Sequence, residues 1–384
     1  MSIFVDFHAL QPVPPSCINR DDTGNPKTAN FGGVQRARVS SQAWKRAIRD
    51  DFDRELPSIE LGVRTKHVVQ LIARSIVDMA PEFADQADEY AKAILEASGV
   101  ETTPSKRKGA ESENGEDVTK YLIFISNAEV DKLAELAVSA LKDGKSAADM
   151  KKGAKKEVAK AFHGKQAIDI ALFGRMLADA PDLNTDASCQ VAHAISVDEL
   201  TPEYDYFTAV DDRAGDDNAG AAMIDTNAFN SATFYRYATV DATALEEQLS
   251  ADGTNAAESA AKAVAAFAKA FLESMPTGKI NSYANQTLPS TVLVAIRNTR
   301  PVNLVTAFQL PVRSDGKESV ARIASERLLD EYQKFNEVYG DKPLQTYVMT
   351  VEQNIALGDD TQVVTLQGLE RALQEAIPQA LAQE

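Results

Sequence analysis

Residues 2–10 set Ile3, Val5, Phe7 and Ala9 against Phe4, Asp6, His8 and Leu10. Both sets are largely apolar, which predicts a strand buried on both faces near the middle of a sheet. Helical spacing of apolar positions predicts helices over 65–80, 85–98, 127–142 and 146–163. The Ala-rich stretch 255–275 reads as a helix that buries Val264, Phe267, Phe271, Leu272 and Met275, and further helices are expected over 316–338 and 365–382. Two-residue alternation returns at 168–173, 228–238 and 291–297, each expected as a strand. Residues 204–210 alternate before an Asp/Gly/Ala-rich stretch at 211–222, the cue for a hairpin arm. The segment 104–117 is charged, contains Gly, lacks aromatics, and reads as a surface loop. No internal repeat is present.

Strands at the start, middle and late part, with a helical block between, predict one α+β core interrupted by a helical insertion. A chain of 384 residues is long enough for one large or two ordinary domains. No apolar run approaches a membrane span, and the first residues read as a strand, not as a signal peptide, so a cytoplasmic protein is expected. Cys17 and Cys189 lie far apart in sequence and are expected to be reduced core thiols.

Charge changes the picture at one place. The chain carries a formal net charge of −17, yet 23–49 holds Lys27, Arg36, Arg38, Lys45, Arg46 and Arg49 with no acid among them. An acidic protein repels polyanions at long range, so a stretch free of carboxylates points to a localised anion site. Phe31-Gly32-Gly33 supplies backbone that can approach a ligand closely, and Val34 to Val39 can be extended with Arg36 and Arg38 on one face. Ser40 or Ser41 is a suitable N-cap for a helix reaching about Phe52, with Trp44, Ile48 and Phe52 buried. Gln42, Lys45 and Arg49 then follow a neighbouring face at i, i+3 and i+7. The basic groups spread too widely for one mononucleotide, and no Walker-type phosphate loop occurs. The residues themselves fit either a chain of phosphates or a solvated basic helix face.

A second basic cluster covers Lys151, Lys152, Lys155, Lys156 and Lys160. On one continuous helix Lys152, Lys156 and Lys160 would share a face, and this is again either a solvated surface or a sequence-independent contact to nucleic acid. Catalytic signals are sparse. His8, His67, His163 and His193 are scattered, without metal-ligand spacing, and neither G-x-S-x-G nor H-E-x-x-H occurs. Clustered acids that could hold Mg²⁺ are Asp21 with Asp22, and Asp211, Asp212, Asp216 and Asp217.

Several segments together resemble one family. S-I-F-V-D-F-H-A-L at 2–10, P-S-C-I-N-R-D-D at 15–22 and F-G-G-V-Q-R-A-R-V-S-S-Q-A-W-K-R-A-I-R at 31–49 are similar to the backbone subunit (CasC) of Cascade, the type I-E CRISPR surveillance complex. I-D-I-A-L-F-G-R-M at 168–176, A-H-A-I-S at 192–196, D-Y-F-T-A-V-D-D at 205–212 and F-Y-R-Y-A at 234–238 follow in the family's order, with weaker S-Y-A-N at 282–285 and T-V-L-V-A-I at 291–296. The resemblance implies a modified ferredoxin-like, RNA-recognition-motif-like palm (1–60, 166–197 and 229–384), a helical fingers insertion (61–165) and a thumb hairpin (198–228). It implies a non-catalytic scaffold without cofactor, polymerising head to tail along the spacer of the guide RNA (crRNA), with other Cascade subunits and target DNA as partners. Arg20, Lys27, Arg36, Arg38, Ser40, Gln42, Lys45, Arg46 and Arg49 would hold crRNA, Met176 and Phe207 would wedge between bases, and the five lysines at 151–160 would touch target DNA. Related type III backbone subunits cut target RNA with an aspartate in a comparable loop, which makes an Asp22-dependent nuclease the alternative. A general RNA-binding protein is a third reading.

Overall fold

The computed structural model describes residues 2–105, 117–209, 223–250 and 255–383. In chain order, strands β1 (Phe4–Ser16), β2 (Thr28–Phe31) and β3 (Val34–Val39) precede helix α1 (Ser41–Glu55). Strands β4 (Gly62–Thr65), β5 (Thr102–Pro104), β6 (Asp117–Thr119) and β7 (Ile123–Ser126) are short. Next come β8 (Cys189–Val191), β9 (Ala194–Ser196), β10 (Glu203–Ala209), β11 (Met223–Asp241), β12 (Thr291–Arg297), β13 (Gln345–Thr350) and β14 (Thr361–Val363). The protein is α+β, with a large mixed sheet in the order β14-β13-β12-β1-β11-β9-β3-β2. The chain divides into two compact units, one of Met1–Asp51, Gln190–Thr243 and Val264–Glu384, the other of Phe52–Cys189 and Ala244–Ala263.

In the first unit β1 is a central strand, as its double apolar pattern predicts. Phe7 lies opposite Ala238 of β11 and Val294 of β12, both antiparallel. Its ring meets Phe267 edge-on at 5.4 Å on one face of the sheet. Leu10 on the other face belongs to a core with Leu293, Val348, Leu328 and Tyr332. Alternate residues of one strand therefore feed two apolar layers, which is why neither face of β1 reads polar. β13 and β14 run parallel, with Tyr347 opposite Gln362.

In the second unit, helices Val68–Met79, Ala87–Ala97 and Asn127–Lys142 pack around Ile72, Ile94 and Leu133. The Asn127–Lys142 helix opens with a capping box. Ser126 Oγ accepts the Glu129 amide and the Glu129 carboxylate accepts the Ser126 amide.

Two expectations need correction. Residues 168–173 form a helix, Ile168–Phe173, and not a strand. Every one of its residues is buried, Asp169 included, so the apparent alternation reported no exposed face. Asp169 accepts the Gly62 amide and Ile170 packs with Phe124 and Ala167, which ties this segment to the helical unit. The compact unit that holds it takes in Phe52–Cys189 and Ala244–Ala263. The expected helix at 146–163 is two, Ala147–Gly153 and Lys155–Phe162, separated at Ala154. The surface loop read at 104–117 falls mostly outside the described residues, as do Asp211, Asp212, Asp216 and Asp217.

Candidate nucleic-acid interface

The basic stretch folds into a loop, a hairpin and a helix start. The loop after β1 closes on itself where Arg20 bridges Pro26 and the Lys27 amide donates to the Asn19 carbonyl at 3.0 Å. Asp21 is the hub of this turn. Its Oδ1 accepts the Thr23 hydroxyl at 2.7 Å, the Thr23 amide at 2.9 Å and the Asn25 amide at 3.0 Å. These donors, Thr23 foremost, hold its carboxyl below the usual range. Asp21 is therefore committed to shaping the turn, while Asp22 is exposed beside it.

β2 and β3 form a tight hairpin through Gly32 and Gly33, at φ 63° and 82°. A Cβ on Gly32 would lie 1.6 Å from the Gln309 carbonyl oxygen. The close approach that this glycine permits is made to the protein's own backbone, not to a ligand.

Arg36 and Arg38 point the same way by strand geometry yet meet opposite fates. Arg36 is fully buried at 0% exposure. Its Nη1 donates to the carbonyls of Ser196 at 2.9 Å and Val197 at 2.7 Å, and Nη2 donates to the Phe308 carbonyl at 2.9 Å. The structure withdraws Arg36 from the crRNA-binding set, because its donors already staple β3 to two other segments. Arg38, half-buried near the end of β3, donates from Nε to the Thr28 carbonyl at 3.0 Å and from Nη1 to His193 Nδ1 at 3.2 Å. Asn19 and His193 flank the start of α1. The Ser40 amide donates to Asn19 Oδ1 at 2.9 Å and the Ser41 amide to His193 Nδ1 at 3.3 Å. Ser40 is buried and its hydroxyl accepts the Ala43 amide at 3.4 Å, so it acts as the expected helix cap.

On α1 the buried stripe is Trp44, Ile48 and Phe52, as expected. Trp44 lies under the guanidinium of Arg236, 3.7 Å from it, and Arg236 also covers Phe271 at 4.4 Å. Arg236 Nη1 donates to Gln11 Oε1 at 2.6 Å. Burial lowers the Arg236 pKa to about 9, still cationic at neutral pH. This stack anchors the helix on the sheet and leaves Gln42 and Arg46 exposed, with Lys45 and Arg49 half-buried. Arg46 pairs with Asp50 at 3.6 Å, one turn on. Arg20, Lys27, Arg38 and the cations of α1 are thus carried by three segments that Asn19 and His193 join.

The arm expected from 204–210 is a hairpin, with Tyr204 opposite Ala228 and Phe207 opposite Asp225. Phe207 is half-buried and shares its face with Asp205 and Asp225, whereas Tyr204 and Tyr206 are exposed on the other. In the helical unit Gly174 at φ 74° ends the Ile168–Phe173 helix. Arg175 then turns inward onto both oxygens of Glu129, at 2.7 and 2.9 Å, and Met176 is left 84% exposed. Met176 is not a core residue. Among the described residues no group of three or more His, Cys, Asp or Glu side chains could hold a metal ion, and no helix is long and apolar enough to cross a membrane.

The family model described as CT1975-like protein matches residues 5–377. The chain belongs to that family. Two solved structures are similar to this CT1975-like protein over nearly its whole length. One, described as "CRISPR RNA-guided surveillance complex, pre-nicking", is 32% identical with a TM-score of 0.82, and the match covers 97% of this chain and 100% of that one. A second, described as "CRISPR RNA-guided surveillance complex", is 28% identical with a TM-score of 0.71, covering 98% and 99%. No curated protein matches.

Two more features of this CT1975-like protein bear on its surface. Lys151, Lys152, Lys155, Lys156 and Lys160 are all exposed but sit on two helices, so the single helical face expected for them does not exist. Lys151 also pairs with Glu96 at 2.7 Å. Lys279, which pattern reading passed over, sits at φ 48° beside Gly278, where a Cβ would lie 2.4 Å from the Ile18 carbonyl oxygen. That packing seats Lys279 near Cys17, whose thiol feels both Lys279 and Arg20. An isolated Lys between apolar segments carries no pattern, and only the fold brings it to the loop.

Proposed function

We propose that this CT1975-like protein is the backbone subunit of a type I-E Cascade complex and holds crRNA by its phosphates. The observation that carries this reading is the convergence of Arg20, Lys27, Arg38, Lys45, Arg46 and Arg49 on a loop, hairpin and helix start, in a chain of net charge −17. Its relatives of known structure belong to RNA-guided complexes. Phosphate contacts hold a strand without reading it, so one surface serves every spacer and leaves the bases free to pair with target DNA. Copies joined head to tail through different faces extend along the guide as an open helix. Met176 and Phe207 separate bases at intervals, and the exposed lysines of residues 151–160 meet target DNA through charge alone. The subunit is a cytoplasmic scaffold, without cofactor or catalytic step of its own.

Lys45→Ala combined with Arg49→Ala tests the reading. Guide affinity should fall equally for two unrelated spacers, and the logarithmic salt dependence should flatten by about 1.4, or 0.7 for each lost phosphate contact on a single strand. Spacer-dependent losses would refute a backbone grip. Regular Mg²⁺-dependent cuts in bound target RNA that vanish in Asp22→Ala would replace the scaffold with a nuclease.

A further inference from the structure

His193 bears no pattern of a ligand or catalyst in the sequence, yet it holds two donors of the basic surface at once. Its Nδ1 is 3.2 Å from Arg38 Nη1 and 3.3 Å from the Ser41 amide. Arginine has no acceptor, so Nδ1 is the accepting, unprotonated nitrogen in both contacts. Burial, then the charges of Arg38 and Lys27, lower its pKa and keep that lone pair available at neutral pH.

We propose that His193 is the positioning residue of the guide-binding surface: it fixes the Arg38 guanidinium where that group meets a crRNA phosphate. The inference rests on the guide-binding reading above. Arg38 has a long side chain with many rotamers, and ordering it on a phosphate costs conformational entropy. Two contacts remove that freedom before RNA arrives, one from Nε to the Thr28 carbonyl and one from Nη1 to His193. The remaining N–H groups are then presented in a set direction, which is what a planar, forked donor needs to engage phosphate oxygens. The Ser41 amide serves as the second anchor of the ring and is spent on His193. It orients the imidazole and is not itself a phosphate donor. His193 thus acts through Arg38.

The test measures guide-RNA affinity against salt for the full chain carrying Arg38→Ala, His193→Ala, both together, His193→Asn and His193→Gln. Asn places its Oδ1 where Nδ1 stood, while Gln carries its amide one bond farther out. Each single Ala variant should flatten the salt slope by about 0.7, about a fivefold affinity loss at 0.1 M relative to 1 M salt. The double variant should lose no more than either single one, because both remove the same contact. His193→Asn should restore the slope and His193→Gln should not.

An unchanged slope in His193→Ala, an added loss near 1.4 in the double variant, or equal behaviour of Asn and Gln would each overturn the proposal. If His193→Ala does not fold, the Asn and Gln pair decides alone. Should Lys45→Ala with Arg49→Ala also leave the slope unchanged, the guide-binding reading itself fails. If that pair flattens the slope and the His193 set does not, only the role of His193 is lost.

Discussion

Replacing Arg36 by Leu separates structure from binding within one strand. The guanidinium donates to the buried carbonyls of Ser196, Val197 and Phe308, and Leu leaves those oxygens without it. An orphaned buried polar group costs about 1–3 kcal/mol. The Val197 carbonyl keeps the Val312 amide at 2.8 Å and so loses least, which brings the total to about 3–6 kcal/mol. Domains of about 150–250 residues lose roughly 2–4 °C per kcal/mol, so the thermal midpoint should fall by on the order of 10 °C. Thermal unfolding followed by circular dichroism measures this, with Arg38→Ala, which loses only its hydrogen bonds to the Thr28 carbonyl and His193, as the contrast expected to shift the midpoint far less. At a temperature where both variants are folded, the salt slope of guide binding should be intact in Arg36→Leu and flattened in Arg38→Ala. An Arg36→Leu variant with an unchanged midpoint and a flattened slope would show that Arg36 reaches phosphate after all.

Gly32→Ala should destabilise the β2–β3 hairpin by at least about 1–2 kcal/mol, since it adds positive-φ strain to a Cβ placed 1.6 Å from the Gln309 oxygen; thermal unfolding reads it, and a neutral result would contradict the close packing. Met176→Ala should leave the thermal midpoint unchanged, because the side chain is exposed, yet weaken assembly on guide RNA by about 0.3–1.5 kcal/mol per base contact, the range of a thioether against an aromatic ring; a large fall in midpoint would return Met176 to the core. Burial raises the Asp6 carboxyl from 3.8 to about 6 despite Arg297 3.3 Å away, so the folded state holds a proton that the unfolded chain has lost. Its contribution is complete below pH 4 and is lost as pH rises through 6, a fall of roughly 3 kcal/mol. The difference between wild-type and Asp6→Asn denaturation curves from pH 4 to 7 should show that decline, and parallel curves would refute it.

Periodicity located several long strands and most of the long helices of this protein, and passed over the short strands and β13. The double apolar pattern of residues 2–10 marked a central strand, alternation at 291–297 gave β12, and the Trp44, Ile48 and Phe52 stripe gave the buried face of α1. Local pattern suffices there because each element has one dominant face, or two equally apolar ones, against a single kind of surroundings. It failed at 168–173, where total burial erased the difference between the two periods, and at Ala154, where a continuous basic run concealed a break between two helices.

Charge along the chain located the basic segment but could not sort its members. Arg36 and Arg38 are two residues apart on one face, and only the tertiary structure sends one into a cage of carbonyls and leaves the other beside His193. The carbonyls come from residues 160 or more positions away, and His193 is 155 positions from its arginine. A sequence records which groups can donate or accept. Which donor meets which acceptor, and whether water reaches it, is fixed by contacts distant in the chain, so the roles of Arg36, Gly32, Lys279 and His193 were decided by the fold alone.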